Sequence, residues 1–477
     1  MPAAHADVHF EPSISVGVAH TDNLTLVSDN PQPQTVYEVI PSFKLTQKSP
    51  RVAANASYRP EGYWYSELGT HDVFHVLDGN LRVAPDPDKF FLDLGASREQ
   101  TIGDPSAPIA RSNLPITTNR LNRDQAFFGP SFVYPLGRDI TANGSLRRTW
   151  VRYPEPDTLT TNLAQDYQED ATSFSLDNYR KGQGFTWATR LGSSKTEYDL
   201  YPSYEYRNAA VELGAWAGDR VRVFGSGGKE SAWDKPFDPT LADGFWEVGF
   251  ATRTDERISA ELAAGERSFG SSRRGVFTFM FGHGMLRLEH SDQPTTQTPD
   301  RYRSGRVPPS PGVGPPASSG TELPVPETPL DLLTQPASAE RYLSRMTRST
   351  LSFDLQHTIL LMAAFRESRQ DRIRLDNTRL PDEHQTGFST SVSHKFGPRT
   401  EVVLGVAKSR SSVTNINRRD LESTTLTANR DLGPRTRLSV EYAYSTEDSG
   451  GVSSNFDYTA RLISVFVTRT FNHGVRK

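Results

Sequence analysis

Between residues 437 and 444 the chain alternates without interruption, with Leu438, Val440, Tyr442 and Tyr444 on one face and Arg437, Ser439, Glu441 and Ala443 on the other. A period of two marks a strand with one apolar and one polar side. The pattern recurs over 245–252, where Trp246, Val248 and Phe250 oppose Glu247, Gly249 and Ala251, and again over 258–265 and 400–408. Helical periodicity is hard to find anywhere. A chain built from amphipathic strands must cover its apolar faces, either with a second sheet in a soluble sandwich or with lipid around a closed barrel.

The connections decide between these. Ten short ones carry Gly, Pro or Asp turn signals: residues 48–51, 85–88, 135–138, 181–184, 217–220, 254–257, 281–284, 355–358, 396–399 and 432–435. They take turns with longer polar stretches, clearest at 22–34, 100–119, 154–166, 230–241, 368–383 and 409–418. Short connections on one side and long ones on the other describe an outer-membrane barrel, with periplasmic turns and extracellular loops. Ten hairpins plus a first and a last strand predict an all-β, transmembrane, antiparallel up-and-down barrel of about 22 strands, within roughly 18 to 24.

Composition agrees. The apolar fraction is 35% and the mean hydropathy −0.57, and no apolar run is long enough for a membrane helix. A membrane barrel tolerates such polarity because only every second residue faces lipid. Lysine plus arginine number 53 against 57 acids with neither sign in a block, which leaves no nucleic-acid footprint. Cysteine is absent, so neither a disulfide framework nor a thiolate metal site can form. Ala4-His5-Ala6 has the small-x-small shape of a signal-peptidase site, and residues 1–7 read as the remnant of a signal peptide. The barrel is expected over 8–471, with its first strand starting too early for an N-terminal plug, and residues 472–477 form a short tail. The Pro-rich stretch 291–340 is expected as an extracellular loop, plainly read as an extended, solvated loop or linker and functionally as one that folds over or into the lumen.

Membrane barrels gather aromatics at the two water interfaces. Trp187 and Trp216 lie close to short turns, and Trp64 and Trp150 near long connections. With Trp246, Tyr442 and Tyr444 they are the lipid-facing or girdle candidates. Phe471 closes the last alternating segment, and a terminal aromatic there is the signal read by the barrel assembly machinery, although "NHGVRK" follows it.

With the apolar faces in lipid, Arg147, Glu247, Glu261, Arg287, Glu289, Arg437 and Glu441 point into the lumen. Mixed signs make a structural ion-pair ladder the plainer reading of this set. A sugar polymer would use the same groups, since arginine pairs well with the carboxylates of acidic sugars. Catalytic and metal motifs are weak. Adjacent residues Glu289, His290, Ser291 and Asp292 point alternately to opposite faces and cannot converge as a triad. Gly225-Ser226-Gly227-Gly228-Lys229 lacks the spacing of a phosphate loop. Asp22 and Asn23 suit a turn better than a calcium site. No catalytic residue, cofactor or metal ligand is expected, and the chain is not read as an enzyme.

Three segments, "SISVGVAHTDNLTL", "YEVIPSFKLTQKSPRVAANASYRPEGYWY" and "HVLDGNLRVAPDPDKFFLDLGAS", resemble the N-terminal third of the outer-membrane barrels associated with the PEP-CTERM/exosortase system. The resemblance is sharp over residues 9–100 and architectural beyond. It implies the outer membrane of a Gram-negative bacterium and a neighbourhood of exopolysaccharide biosynthesis. The expected function is a porin-like conduit for export or surface display of exopolysaccharide. The alternative is a structural or adhesive barrel whose loops bind polysaccharide or matrix. Expected partners are outer-membrane lipid and lipopolysaccharide, the barrel assembly machinery, exopolysaccharide and periplasmic export components.

Overall fold

A computed structural model describes residues 7–102, 112–117, 120–154, 165–178, 184–232, 240–241, 243–254, 257–296, 340–374, 378–413, 417–450 and 457–471. Its elements are all strands. The first six are Asp7–Thr21 (β1), Gln34–Lys48 (β2), Val52–Tyr65 (β3), Thr70–Asp86 (β4), Phe90–Ile102 (β5) and Arg120–Pro135 (β6). Next come Thr141–Arg152 (β7), Tyr167–Asp177 (β8), Phe185–Tyr198 (β9), Tyr204–Ala217 (β10), Val221–Glu230 (β11) and Asp243–Thr254 (β12). Ile258–Arg267 (β13), Gly270–Phe281 (β14), Gly284–Thr296 (β15), Glu340–Leu355 (β16) and Thr358–Arg374 (β17) follow. The chain ends with Glu383–Lys395 (β18), Thr400–Val413 (β19), Asn417–Gly433 (β20), Thr436–Asp448 (β21) and Tyr458–Thr470 (β22).

Every strand pairs antiparallel with its sequence neighbours in one 22-stranded sheet, and β1 pairs with β22 from Ser13↔Thr470 to Thr21↔Leu462. The sheet is therefore a closed barrel with no free edge. Each short connection read from the sequence joins two strands at one end of the barrel, the periplasmic end by the rule of short turns and long loops.

At the outer end the boundaries differ from the sequence reading. Residues 291–296 belong to β15 and Glu340 opens β16, so the Pro-rich connection is 297–339, which lies outside the described residues along with 1–6 and 472–477. The connection read as 368–383 shrinks to 375–382, and that read as 409–418 to 414–416. In these strand ends both faces are polar, as in Ser409-Arg410-Ser411-Ser412, so the alternation fades while the hydrogen-bonded ladder continues. Two outer connections, 66–69 and 268–269, are as tight as periplasmic turns.

Cross-strand registers fix the two faces. Val16↔Val39, Leu213↔Gly225, Val223↔Phe250, Val248↔Ala264 and Val440↔Val465 lie on the outer surface, and Val16, Leu213, Val223 and Val248 are each more than half exposed. An apolar exterior around a polar interior inverts the order of a soluble protein. The molecule is an outer-membrane barrel of the Gram-negative type. A ladder of rings from Phe10 through Phe43 and Tyr58 to His75, centroids 6.1–6.5 Å apart, lies outward and climbs from the periplasmic end of β1 to the extracellular half of β4. Phe279, Phe281 and Phe353 continue the girdle at 5.4 Å spacings on β14 and β16.

Trp64, Trp150 and Trp246 face outward in the extracellular halves of their strands, Trp187 faces outward by the periplasmic turn, and Tyr442 and Tyr444 face outward on β21. Trp216 does not join them. It pairs with Arg222, whose guanidinium binds Glu212 in the interior, so Trp216 points into the lumen with its indole N–H unpartnered. Its place beside a turn suggested the girdle, but the outward set on β10 is Val211, Leu213 and Ala215, and position 216 has the opposite parity.

Candidate functional site

The inner wall holds all seven lumen candidates, and their surroundings divide them. Glu247 is buried between Arg274, at 3.3 Å, and Arg267, at 3.9 Å, and Arg274 also binds Glu261 at 2.9 Å. Arg287 pairs with Glu289 two residues along the same face at 2.5 Å, and Arg437 pairs with Asp431 at 2.8 Å. These five brace the wall. Arg147 and Glu441 make no ion pair with any described residue. Arg147 instead lies 3.9 Å over the ring of Phe127, and that ring covers Gly95, where a Cβ would come within 2.1 Å of it. Glycine in the middle of β5 thus leaves room for the ring, and the ring holds an exposed guanidinium toward the lumen.

Cross-strand register reveals partners that spacing alone does not. On β9–β11 the buried carboxylate of Glu212 receives Arg190 at 3.0 Å and Arg222 at 2.8 Å. Glu230 accepts hydrogen bonds from Arg267 at 2.5 Å, the Tyr206 hydroxyl at 2.5 Å and the Ser268 N–H at 2.7 Å. On β16–β18 a second network joins Arg369 to Glu367 at 3.0 Å, and Arg372 to Glu340 at 3.0 Å and Glu383 at 3.3 Å. Each carboxylate contacts at least one guanidinium, which is what keeps charge tolerable at a partly dry wall. The strand residues here have the inward parity of their strands, except Arg372, which a bulge at Asp371 in β17 turns inward. The missing signal was the register between strands.

The opposite wall, from β18 round to β3, is dominated by hydroxyl and amide side chains such as Ser391, Thr427, Asn429, Ser439, Thr468 and Ser15. Some bond one another, Ser439 with Asn429 and Ser15 with Thr468, both at 2.7 Å. The lumen is thus two-sided, with fixed ion pairs facing a hydroxylated surface.

Its extracellular mouth is narrowed by two loop segments. Residues 112–117, between β5 and β6, fold inward onto β3: Asn113 donates to Glu61 at 2.8 Å, and the Tyr65 hydroxyl donates to the Leu114 carbonyl at 3.1 Å. The Ile116 N–H donates to the Leu24 carbonyl at 3.1 Å, tying this segment to the β1–β2 loop. Leu24 and Leu114 complete a buried cluster with Ala19, Val36, Tyr63 and Tyr65, all facing inward. The sequence offered 291–340 as one segment able to narrow an otherwise open lumen, and 297–339 lie outside the described residues. The constriction among the described residues is built by other loops.

The enzymatic and metal motifs stay apart. His290 and Asp292 face outward on β15, with the His290 Nδ1 2.8 Å from the Thr347 hydroxyl, whereas Ser291 faces inward. The Gly225–Lys229 stretch is regular strand in β11. Among the described residues no group of His, Asp and Glu gathers to hold a metal. The side chain of Asn23 bonds the Val27 and Thr459 carbonyls at 2.7 and 3.0 Å, and Asp22 accepts the Arg461 N–H at 2.7 Å, so both are turn formers.

No family model and no curated protein matches this chain. Among solved structures it is similar to the ferric yersiniabactin uptake receptor FyuA of Yersinia pestis, at 10% identity over 96% of this chain and 80% of that one, TM-score 0.42. It is also similar to OpdO of Pseudomonas aeruginosa, at 10% identity over 98% of each chain, TM-score 0.36. OccAB3 of Acinetobacter baumannii is 9% identical over 98% of this chain and 99% of that one, TM-score 0.39. At those values the barrel assignment rests on the strand pairing itself.

Proposed function

We propose that the barrel is a porin-like, non-enzymatic conduit for exopolysaccharide across the outer membrane. The observation that carries this reading is the interior: a hydroxylated wall facing a wall of fixed ion pairs, rather than a packed apolar core. Sugar polymers present hydroxyl groups in every direction, and hydroxyl and amide side chains exchange hydrogen bonds with them at little cost relative to water. Arg147, exposed and unpaired among the described residues, adds a cation suited to uronic or other acidic sugars. The resemblance of residues 9–100 to exopolysaccharide-linked barrels supports the choice of polymer.

The inward fold of residues 112–117 favours a second reading, a surface-binding barrel closed at its mouth. One experiment separates the two: single-channel conductance of the refolded protein in a planar bilayer, repeated after deleting residues 297–339 and, separately, 112–117. Steady conductance, or conductance that appears on deletion, supports the conduit and identifies the constricting segment. A barrel that inserts and stays silent in all forms sinks the conduit and leaves the surface-binding role.

A further inference from the structure

The outer surface carries charge in a place where the lipid-facing side of a barrel is usually neutral. In the extracellular halves of the strands outward guanidiniums are mostly matched by carboxylates: Arg148 with Asp170, Arg207 with Glu205 and Arg410 with Asp420, each at 2.6 Å. One sector departs from this. Arg273 on β14, Arg345 on β16 and Arg366 on β17 all face outward, and none has an ion pair with a described residue. Asp292 lies in register between Arg273 and Arg345, but one of its oxygens accepts the Arg273 backbone N–H at 3.0 Å and the other lies 3.4 Å from His290. The Nε of Arg345 is enclosed without a hydrogen-bond partner. Toward the periplasm the same sector turns apolar, with Leu288 and Met362 exposed on β15 and β17.

Three cations facing lipid need a counter-anion, because unpaired charge beside hydrocarbon is expensive. Guanidinium forks match phosphate oxygens bidentately. The geometry points to a docking surface for the phosphorylated glucosamine headgroup of lipopolysaccharide in the outer leaflet, with the acyl chains lying along the apolar sector beneath. Where the outward charges are matched the wall offers that lipid little net charge; this sector gathers three neighbouring guanidiniums that have no ion pair with a described residue.

The test uses the full chain in bicelles, with bis-phosphorylated lipid A and its phosphate-free counterpart as probes and heat-modifiable gel mobility as the check of folding. The triple variant R273Q/R345Q/R366Q is expected to bind the phosphorylated lipid at least about tenfold more weakly. The control R148Q/R207Q/R410Q removes as many cations from matched sites and is expected to bind as the parent does. Replacing the first three by lysine is expected to give binding between the parent and the glutamine variant, since the charge stays and the bidentate fork is lost. Equal binding by the triple glutamine variant, equal loss in the control, or equal affinity for the phosphate-free lipid overturns the assignment. Displacement of the lipid by millimolar inorganic phosphate overturns it too, in favour of a free-anion site.

Discussion

At the scale of single residues the interior separates groups that hold the wall from groups free to meet a cargo. Glu212 belongs to the first kind. It is buried and binds two arginines from neighbouring strands, so Glu212→Ala removes the carboxylate that Arg190 and Arg222 share. Removing one partner of a buried ion pair costs about 3 kcal/mol. Urea unfolding from lipid vesicles, followed by tryptophan fluorescence, is expected to show a loss of that size, whereas Glu289→Ala, at a more exposed pair, loses far less. Arg147 belongs to the second kind. Arg147→Ala removes a lumen cation and is expected to lower the anion-to-cation permeability ratio about twofold. Gly95→Val leaves the arginine in place but drives the Phe127 ring off its seat, so it should shift reversal potential in the same direction. Unchanged selectivity in both variants would show that Arg147 does not sit in the ion path.

At the scale of elements, legibility followed which end of a strand was examined. The periplasmic turns could be read because tight reversals demand Gly, Pro or Asp, as at Gly282 and Gly397, which adopt positive φ. The extracellular ends could not, because there β17 and β20 place charge on both faces, outward Arg366 and Arg418 as well as inward Arg369 and Arg419, and β19 sets outward Arg410 against inward Ser409 and Ser411. A period of two carries no signal once both faces are polar. Parity was enough to assign Glu247 or Arg437 to the inner face, but who meets whom depends on register, which hydrogen bonding sets and composition does not. The closing seam shows what register demands. Gly17 on β1 lies under the ring of Phe466 on β22, where a Cβ would fall 2.3 Å from a ring carbon, and the Phe471 N–H donates to the Pro12 carbonyl at 2.7 Å. Gly17→Leu overpacks this joint and is expected to cost about 1–3 kcal/mol. Heat-modifiable mobility on gels should show a smaller folded fraction, and an unchanged fraction would mean that the seam tolerates displacement of Phe466.

For the whole molecule, closure removes every sheet edge and leaves function to the two surfaces of the wall, lipid outside and lumen inside. If the lumen conducts a sugar polymer, its two walls contribute different things: the ion pairs of β9–β14 hold the barrel's shape, and the hydroxyl wall of β18–β22 makes reversible contacts along the path. Ion flow and polymer binding should therefore be separable. Ser391→Ala with Thr427→Val replaces two inward hydroxyls by apolar groups of similar size, leaving every described ion pair intact. Such exchanges remove hydrogen bonds of about 1 kcal/mol each, so the blocking of current by added neutral oligosaccharide should weaken about thirtyfold while open-channel conductance stays near that of the parent. Arg147→Ala is expected to do the converse with an acidic oligosaccharide, leaving neutral-sugar block intact. Should this double variant block as tightly as the parent, the hydroxyl wall is structural, and recognition of the polymer moves to the extracellular loops.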